Sequence, residues 1–174
     1  LHLAVQTKLG IPGDWKKVNL GGVEGSIDMP INGFPGELKT SRKWTIPDLP
    51  EERYVRQLHS YCAIEKAKTG YVWVFYINPN RTYAGDKSTT PEFRMWRIDF
   101  SPVEIKAERL RLLHGRAALL TALETKNPNK LPLCEKWLCV YEGRGKIESR
   151  CPYWQDCRPR GRFGKDGKPI KGCE

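Results

Sequence analysis

VEGSIDMPINGFPGELKTS, residues 23–41, contains two short extended runs joined by a turn of Asn32, Gly33, Pro35 and Gly36. Asparagine and glycine tolerate the left-handed backbone of a tight reversal, and proline cannot continue a hydrogen-bonded ladder, so the reversal is written in the residue types. In GELKTS successive side chains alternate, which puts Glu37 and Lys39 on one face and turns Leu38 to the other, tying that strand to a core. If the first run pairs with the second, Asp28 reaches the face of Glu37 and Lys39. Two carboxylates and an ammonium then converge in the pattern D-x8-E-x-K. Such a cluster offers Mg²⁺ or Mn²⁺ hard oxygen ligands with positions left open for water and a phosphate oxygen. The lysine eases formation of hydroxide and stabilises charge developing on phosphorus. A solvated ion pair on an edge strand gives the same short pattern, so its surroundings decide.

Working outward, NLGGVEGSIDMPI reads as one strand, and LHLAVQTKLG before it has helical spacing with a glycine stop and no cap, as if the numbering began inside an element. PEERYVRQLHSYCAIEKAKTG reads as a helix, with acids in its first turn, Lys66 and Lys68 in its last and Gly70 as its stop. YVWVFYIN, 71–78, is a continuous β-branched and aromatic run suited to a strand buried on both faces, whereas FRMWRIDF, 93–100, alternates and suits a strand at or near an edge. SPVEIKAERLRLLHGRAALLTALETKN carries Ser101 as N-cap, Pro102 at the first helical position and Glu104 at the third, with Val103, Leu110, Leu113, Ala117 and Leu120 along one face. The order of helix, strand, strand, helix, strand, strand, helix predicts an α/β layered domain.

The formal net charge of +10 over 174 residues gives long-range attraction for polyanions. Nucleic acid is the expected partner rather than a membrane, because no strongly amphipathic basic helix and no apolar run of about 20 residues occurs. The first residues lack the pattern of a signal peptide, and the expected compartment is cytoplasmic. No Walker-type G-x4-GK[ST] motif is present, which disfavours a fused helicase.

The helix after the acidic run carries Gln57 and Tyr61, four apart and so on one face. Taken in order, His2 in LHLAVQ, Asp28 in GSIDMPI, Glu37-Leu38-Lys39 in GELKTS and Gln57 to Tyr61 in QLHSY resemble the RecB-like branch of the PD-(D/E)XK nuclease superfamily over residues 1–78. The resemblance implies that His2, Asp28, Glu37 and the Leu38 carbonyl hold the metal. It also implies that Lys39 positions or activates the attacking water and that Gln57 and Tyr61 orient the lysine and the substrate backbone. Glu24 shares the strand face of Asp28 by period two and is a minor candidate. His59 faces away from Gln57 and Tyr61 on a helix, and His114 has no cysteine or acidic cluster around it; both read as structural or exposed.

Five of the six cysteines, Cys134, Cys139, Cys151, Cys157 and Cys173, crowd into the end of the chain, and the first four are spaced C-x4-C-x11-C-x5-C. In a cytoplasmic chain such crowding favours metal ligation over disulfides, and four thiolates suit zinc or an iron–sulfur cluster. CPYWQDC and CEKWLC resemble segments of the Cas4-like iron–sulfur nucleases and phage exonucleases, which implies a [4Fe–4S] cluster on Cys134, Cys139, Cys151 and Cys157, with Zn²⁺ the alternative. EGRGKIES is an insertion relative to the compact cysteine group of that family. The cluster would staple a tail that lacks apolar surface of its own. Arg144, Lys146, Arg150, Arg158, Arg160 and Arg162 would then lie along DNA, with Trp137, Tyr153 and Trp154 stacking on bases or capping the cluster. Cys173 reads as a spare thiol and Cys62 as a small buried hydrophobe.

The expected architecture is therefore a restriction-endonuclease-like α/β core over 1–127, a mixed central sheet flanked by helices, with a cysteine-rich iron–sulfur segment over 128–174 packed on it. The expected function is a Mg²⁺- or Mn²⁺-dependent deoxyribonuclease, an exonuclease on single strands or DNA ends, working with recombination, replication or CRISPR-adaptation proteins. The alternative is a non-catalytic DNA-binding module held by a four-cysteine zinc or iron–sulfur site.

Overall fold

The computed structural model describes residues 16–43, 45–77, 79, 90–127, 130–131, 140–143 and 146–150. His2 and the cysteines from Cys134 onward, with their expected metal or cluster, lie outside the described residues. The chain divides into two compact units, Leu1–Ala117 and Ala118–Glu174. The described residues make a mixed α/β fold in which no helix is long and apolar enough to cross a membrane.

The run NLGGVEGSIDMPI is not one strand. It folds into a hairpin of β1 (Lys16–Leu20) and β2 (Val23–Ile27), with Leu20 opposite Val23. Gly21 and Gly22, at φ 55° and 85°, supply the two positive-φ positions of a two-residue turn whose twist matches the strands. Asn19 Oδ1 accepts the Gly22 N–H at 3.1 Å and closes the turn. A Cβ on Gly22 would fall 2.5 Å from Arg116 Nε, the far end of a side chain that can swing aside, so it is the positive φ of the turn that calls for glycine.

β3 (Gly36–Ser41) pairs in parallel with β4 (Thr69–Tyr76), which pairs antiparallel with β5 (Glu92–Asp99). The β2 and β3 runs expected to pair as a hairpin thus belong to separate sheets. The chain reverses between them in a smaller loop, where Ile31 and Phe34 bridge around Asn32 and Gly33, at φ 49° and 83°, and the Met29 N–H bonds the Gly36 carbonyl at 3.1 Å. β4 is central and β5 lies at an edge among the described strands. Only one face of β4 is fully buried, that of Val72, Val74 and Tyr76; its other face is half-buried rather than sealed.

The parallel β3–β4 pair requires a crossover, and α1 (Glu52–Glu65) supplies it. Tyr54, Leu58 and Cys62 recur at helical spacing and pack on Val72, Val74 and Tyr76, with Phe100 and Ile105 completing the cluster. Burying each large aliphatic side chain there contributes about 2 kcal/mol. The helix stops at Lys66, in the left-handed region at φ 59°, rather than at Gly70. Gly70 instead lies in β4 beneath the helix, where a Cβ would lie 2.7 Å from Leu58 Cδ1 and 2.8 Å from Cys62 Sγ.

α2 (Pro102–Glu124) begins as its residues dictate: Glu104 N–H bonds Ser101 Oγ at 3.2 Å and Ser101 N–H bonds Glu104 Oε2 at 2.7 Å, a reciprocal capping box. Its expected inner face is corrected. Val103, Leu110, Leu113 and Leu120 are exposed, and in the first unit the helix is held by Ile105 and Glu108. Glu108 accepts from Ser60 Oγ at 2.7 Å and from the Arg111 guanidinium at 2.6 Å, while Arg109 Nη1 bonds the Ala63 and Ile64 carbonyls at the end of α1. Polar anchors, not leucines, decide which side of α2 faces the core.

In the second unit, β6 (Val140–Gly143) and β7 (Lys146–Arg150) form an antiparallel hairpin with a register shift at Tyr141/Glu142. It occupies the stretch that reads as an insertion between Cys139 and Cys151.

Candidate functional site

In a parallel ladder, register partners project to the same face, so Glu37 opposite Val72 and Lys39 opposite Val74 lie on the face covered by α1. Glu37 is fully buried there and Lys39 half-buried. Leu38, opposite Trp73, is fully buried on the other face. An acid inserted in a row of buried valines has no packing rationale of its own.

The backbone of β3 is equally ordered. The Pro35 and Ser41 carbonyls accept from Tyr71 and Ile77 at 3.0 and 2.9 Å, so the odd residues bond β4. The even ones face the other edge, where no described strand pairs. There the Gly36 carbonyl takes the Met29 N–H, and the Leu38 N–H donates to Asp28 Oδ2 at 3.4 Å. Because N–H and C=O of one extended residue point the same way, the Leu38 carbonyl faces the edge at which Asp28 sits. The Met29–Gly36 and Ile31–Phe34 register, carried one residue further, sets Asp28 opposite Glu37. A small turn thus does what full strand pairing was expected to do.

Lys39 Nζ forms an ion pair with Glu37 Oε1, yet both Glu37 oxygens are buried without a well-aligned hydrogen-bond donor. Burial pushes the Glu37 carboxyl up to about 7; the Lys39 ammonium opposes this and the Asp28 carboxylate adds to it. A carboxyl at that value is poised to lose its proton to a stronger competitor, and a divalent cation is one.

On α1, Gln57 Nε2 donates to Tyr61 Oη at 2.8 Å, which leaves the phenol proton free to be given elsewhere. Burial raises the Tyr61 phenol above its usual range, and Glu37 and Asp28 push it the same way against the Gln57 bond. Tyr61 is seated by Val18, Ile27 and Ile64, and its Cε1 would lie 3.1 Å from a Cβ on Gly25. The β1–β2 hairpin therefore packs the tyrosine toward the acids.

The remaining candidates fall elsewhere. Glu24 is exposed and accepts from Asn19 Nδ2 at 3.2 Å. His59 stacks on Phe100 at 4.3 Å, a structural role as expected, and His114 is exposed. Cys62 is fully buried and its thiol is pushed up to about 12, so it stays protonated. Gly36 was not foreseen as a site residue: a Cβ there would fall 2.1 Å from the Met29 carbonyl oxygen, so its bareness lets the two acids approach. Its signal was a glycine directly before an acid-x-lysine strand. Among the described residues no group of three or more His, Cys, Asp or Glu side chains forms a metal cage.

The site and fold thus define a class, a mixed α/β fold with an acidic pair and a lysine under a crossover helix. No family model and no curated protein matches the chain. Among solved structures it is similar to one titled "Crystal structure of SSO0001", at 20% identity and a TM-score of 0.38, over 75% of this chain and 68% of that one.

Proposed function

We propose that the chain is a Mg²⁺- or Mn²⁺-dependent deoxyribonuclease built on a restriction-endonuclease-like core. The observation that carries this reading is Glu37, an acid buried with no well-aligned hydrogen-bond donor, beside Asp28 and Lys39. A buried carboxylate is costly unless something positive compensates it, and Lys39, paired through Oε1, leaves both oxygens without a well-aligned donor. Asp28, Glu37 and the Leu38 carbonyl are a set of oxygen donors suited to a hard divalent cation, with His2 the further ligand implied by resemblance. When bound, that cation supplies Lewis-acid stabilisation of a phosphate oxygen and lowers the pKa of its water.

The chain's own residues do the rest. Lys39, 28% exposed, reaches from the buried acid toward solvent and holds the attacking water or the phosphate oxygen. Tyr61, its oxygen fixed by Gln57, donates its proton toward the acids or the substrate backbone. The net charge of +10 attracts the polyanion. Single strands or DNA ends are the proposed substrates, in recombination, replication or CRISPR adaptation. Cys134, Cys139, Cys151 and Cys157 are the proposed ligands of a stapling [4Fe–4S] cluster or zinc.

The test is degradation of end-labelled single-stranded DNA by purified protein with Mn²⁺ or Mg²⁺, repeated with Asp28→Ala and Lys39→Ala. Loss of cleavage by about 100-fold or more in both supports the reading. Cleavage unchanged by either substitution, or none by the parent, sinks it. A visible-absorption spectrum of anaerobically purified protein separates an iron–sulfur cluster from zinc.

A further inference from the structure

A groove of about 340 Å³ lies between the end of α1 and the first turns of α2, and the acidic site makes no use of it. Among the described residues four cations line it, Lys66, Lys68, Lys106 and Arg109, and no carboxylate does. The three lysines are exposed and form no ion pair among the described residues. Arg109 is anchored on the Ala63 and Ile64 carbonyls, neutral acceptors that fix its guanidinium without cancelling its charge.

The walls are apolar. Leu110 and Leu113 line the groove and remain 47% and 36% exposed, and Val103, on the same stripe of α2, is 77% exposed. Spacings of three and four residues put Val103, Lys106, Leu110 and Leu113 in one row along the helix. Single exposed leucines are ordinary, but a row of them beside four cations is a patterned surface. Among the described residues no aromatic side chain lines the groove for a nucleic-acid base to stack on. Phosphates would engage the lysines and leave the leucines unexplained. A partner with apolar residues on one helical face and carboxylates flanking them accounts for both.

We propose that this groove seats an acidic amphipathic helix of a partner protein, its apolar side chains on Leu110 and Leu113 and its carboxylates on Lys66, Lys68 and Lys106. The reading is independent of nuclease activity.

The probe is a synthetic, fluorescently labelled peptide with leucine at i, i+3, i+4 and i+7 and glutamate between, compared with its scrambled isomer on the full chain by anisotropy. The patterned peptide is expected to bind about tenfold tighter or more, with affinity falling as salt rises. Lys106→Glu and Leu110→Asp should each remove about tenfold of that affinity, with an unchanged thermal midpoint. Lys106→Ala, a milder change at an exposed position, provides the same comparison if either variant folds poorly. Equal affinity for the two peptides overturns the proposal. So does weakened binding of a single-stranded oligonucleotide by these substitutions while peptide binding holds, which assigns the groove to nucleic acid.

Discussion

Asp28 Oδ2 accepts the backbone N–H of Leu38 at 3.4 Å, so the side chain of one acid bonds the strand that carries the other. The bond substitutes for the ladder that β2 and β3 do not form, and it uses a buried donor at the open edge of β3. Asp28→Asn retains an acceptor oxygen, whereas Asp28→Ala leaves that N–H unsatisfied. Both variants are expected to lose metal-dependent cleavage, but only the alanine should lose stability, by about 1–2 kcal/mol. Urea unfolding beside a cleavage assay separates the two effects, and equal stability in both variants would show that the bond contributes nothing.

Glu37 offers a sharper separation of stability from function. Its carboxyl is raised from 4.5 to about 7, so the folded state binds a proton that the unfolded state has already released between those values. Stability from this group is full below about 4.5 and is lost as pH rises through 7. In metal-free protein, Glu37→Gln should therefore be more stable than the parent at pH 8, by up to about 3 kcal/mol, and gain nothing at pH 4. The same variant should lose cleavage by about 100-fold or more. Thermal unfolding in a chelator at the two pH values checks the sign; a variant less stable than the parent at pH 8 would contradict it.

Much of this site was legible because strands and tight turns write their geometry in residue types. Alternation alone put Glu37 and Lys39 on one face, and Asn32-Gly33 marked the reversal that brings Asp28 back. The Gly21-Gly22 turn was equally legible but lay inside a run of strand formers, and reading through it merged β1 with β2. Partner choice between strands was not legible. Asp28 serves β3 by its side chain while β2 pairs with β1; both are local pairings, and alternation does not say which of the two neighbours β2 takes. α2 failed for another reason: with its alanines, Val103 and Ile105 counted beside the leucines, apolar residues occur around most of its circumference, so periodicity alone does not choose the buried side. Ser60 to Glu108, and Arg109 to the Ala63 and Ile64 carbonyls, orient it through bonds between helices that no single-helix pattern encodes.

Gly36 sets how closely the two acids approach. A Cβ there would sit 2.1 Å from the Met29 carbonyl oxygen, a backbone atom that cannot swing aside, and the same residue's carbonyl accepts the Met29 N–H. Gly36→Ala should cost about 2–4 kcal/mol and reduce cleavage in the fraction that still folds. Gly33→Ala is the contrast: nothing lies within 4 Å of its Cβ, and only the positive φ of 83° is strained, at about 1 kcal/mol. Chemical denaturation of the two variants should therefore rank Gly36→Ala as the more damaging, and the reverse order would deny the close approach.

Glu108 behaves oppositely to Glu37 although both are acids in a protein interior. Burial would raise its carboxyl, but the Arg111 and Ser60 hydrogen bonds outweigh that and hold it below its ordinary 4.5. A carboxylate depressed on folding stabilises the native state above its unfolded value, and that stability disappears as pH falls through the lower folded value. Acid unfolding of the parent should therefore include the release of α2 from α1 below about pH 4.5. Glu108→Gln keeps the shape and an acceptor but not the charge, so it should cost about 1–2 kcal/mol at pH 7 and show a shallower loss of stability on acidification. Two unfolding series between pH 3 and 7 suffice. Parallel curves would mean that Glu108 carries no charge-dependent share of the helix contact, leaving Ile105 and the Arg109 bonds to the Ala63 and Ile64 carbonyls to hold α2 in place.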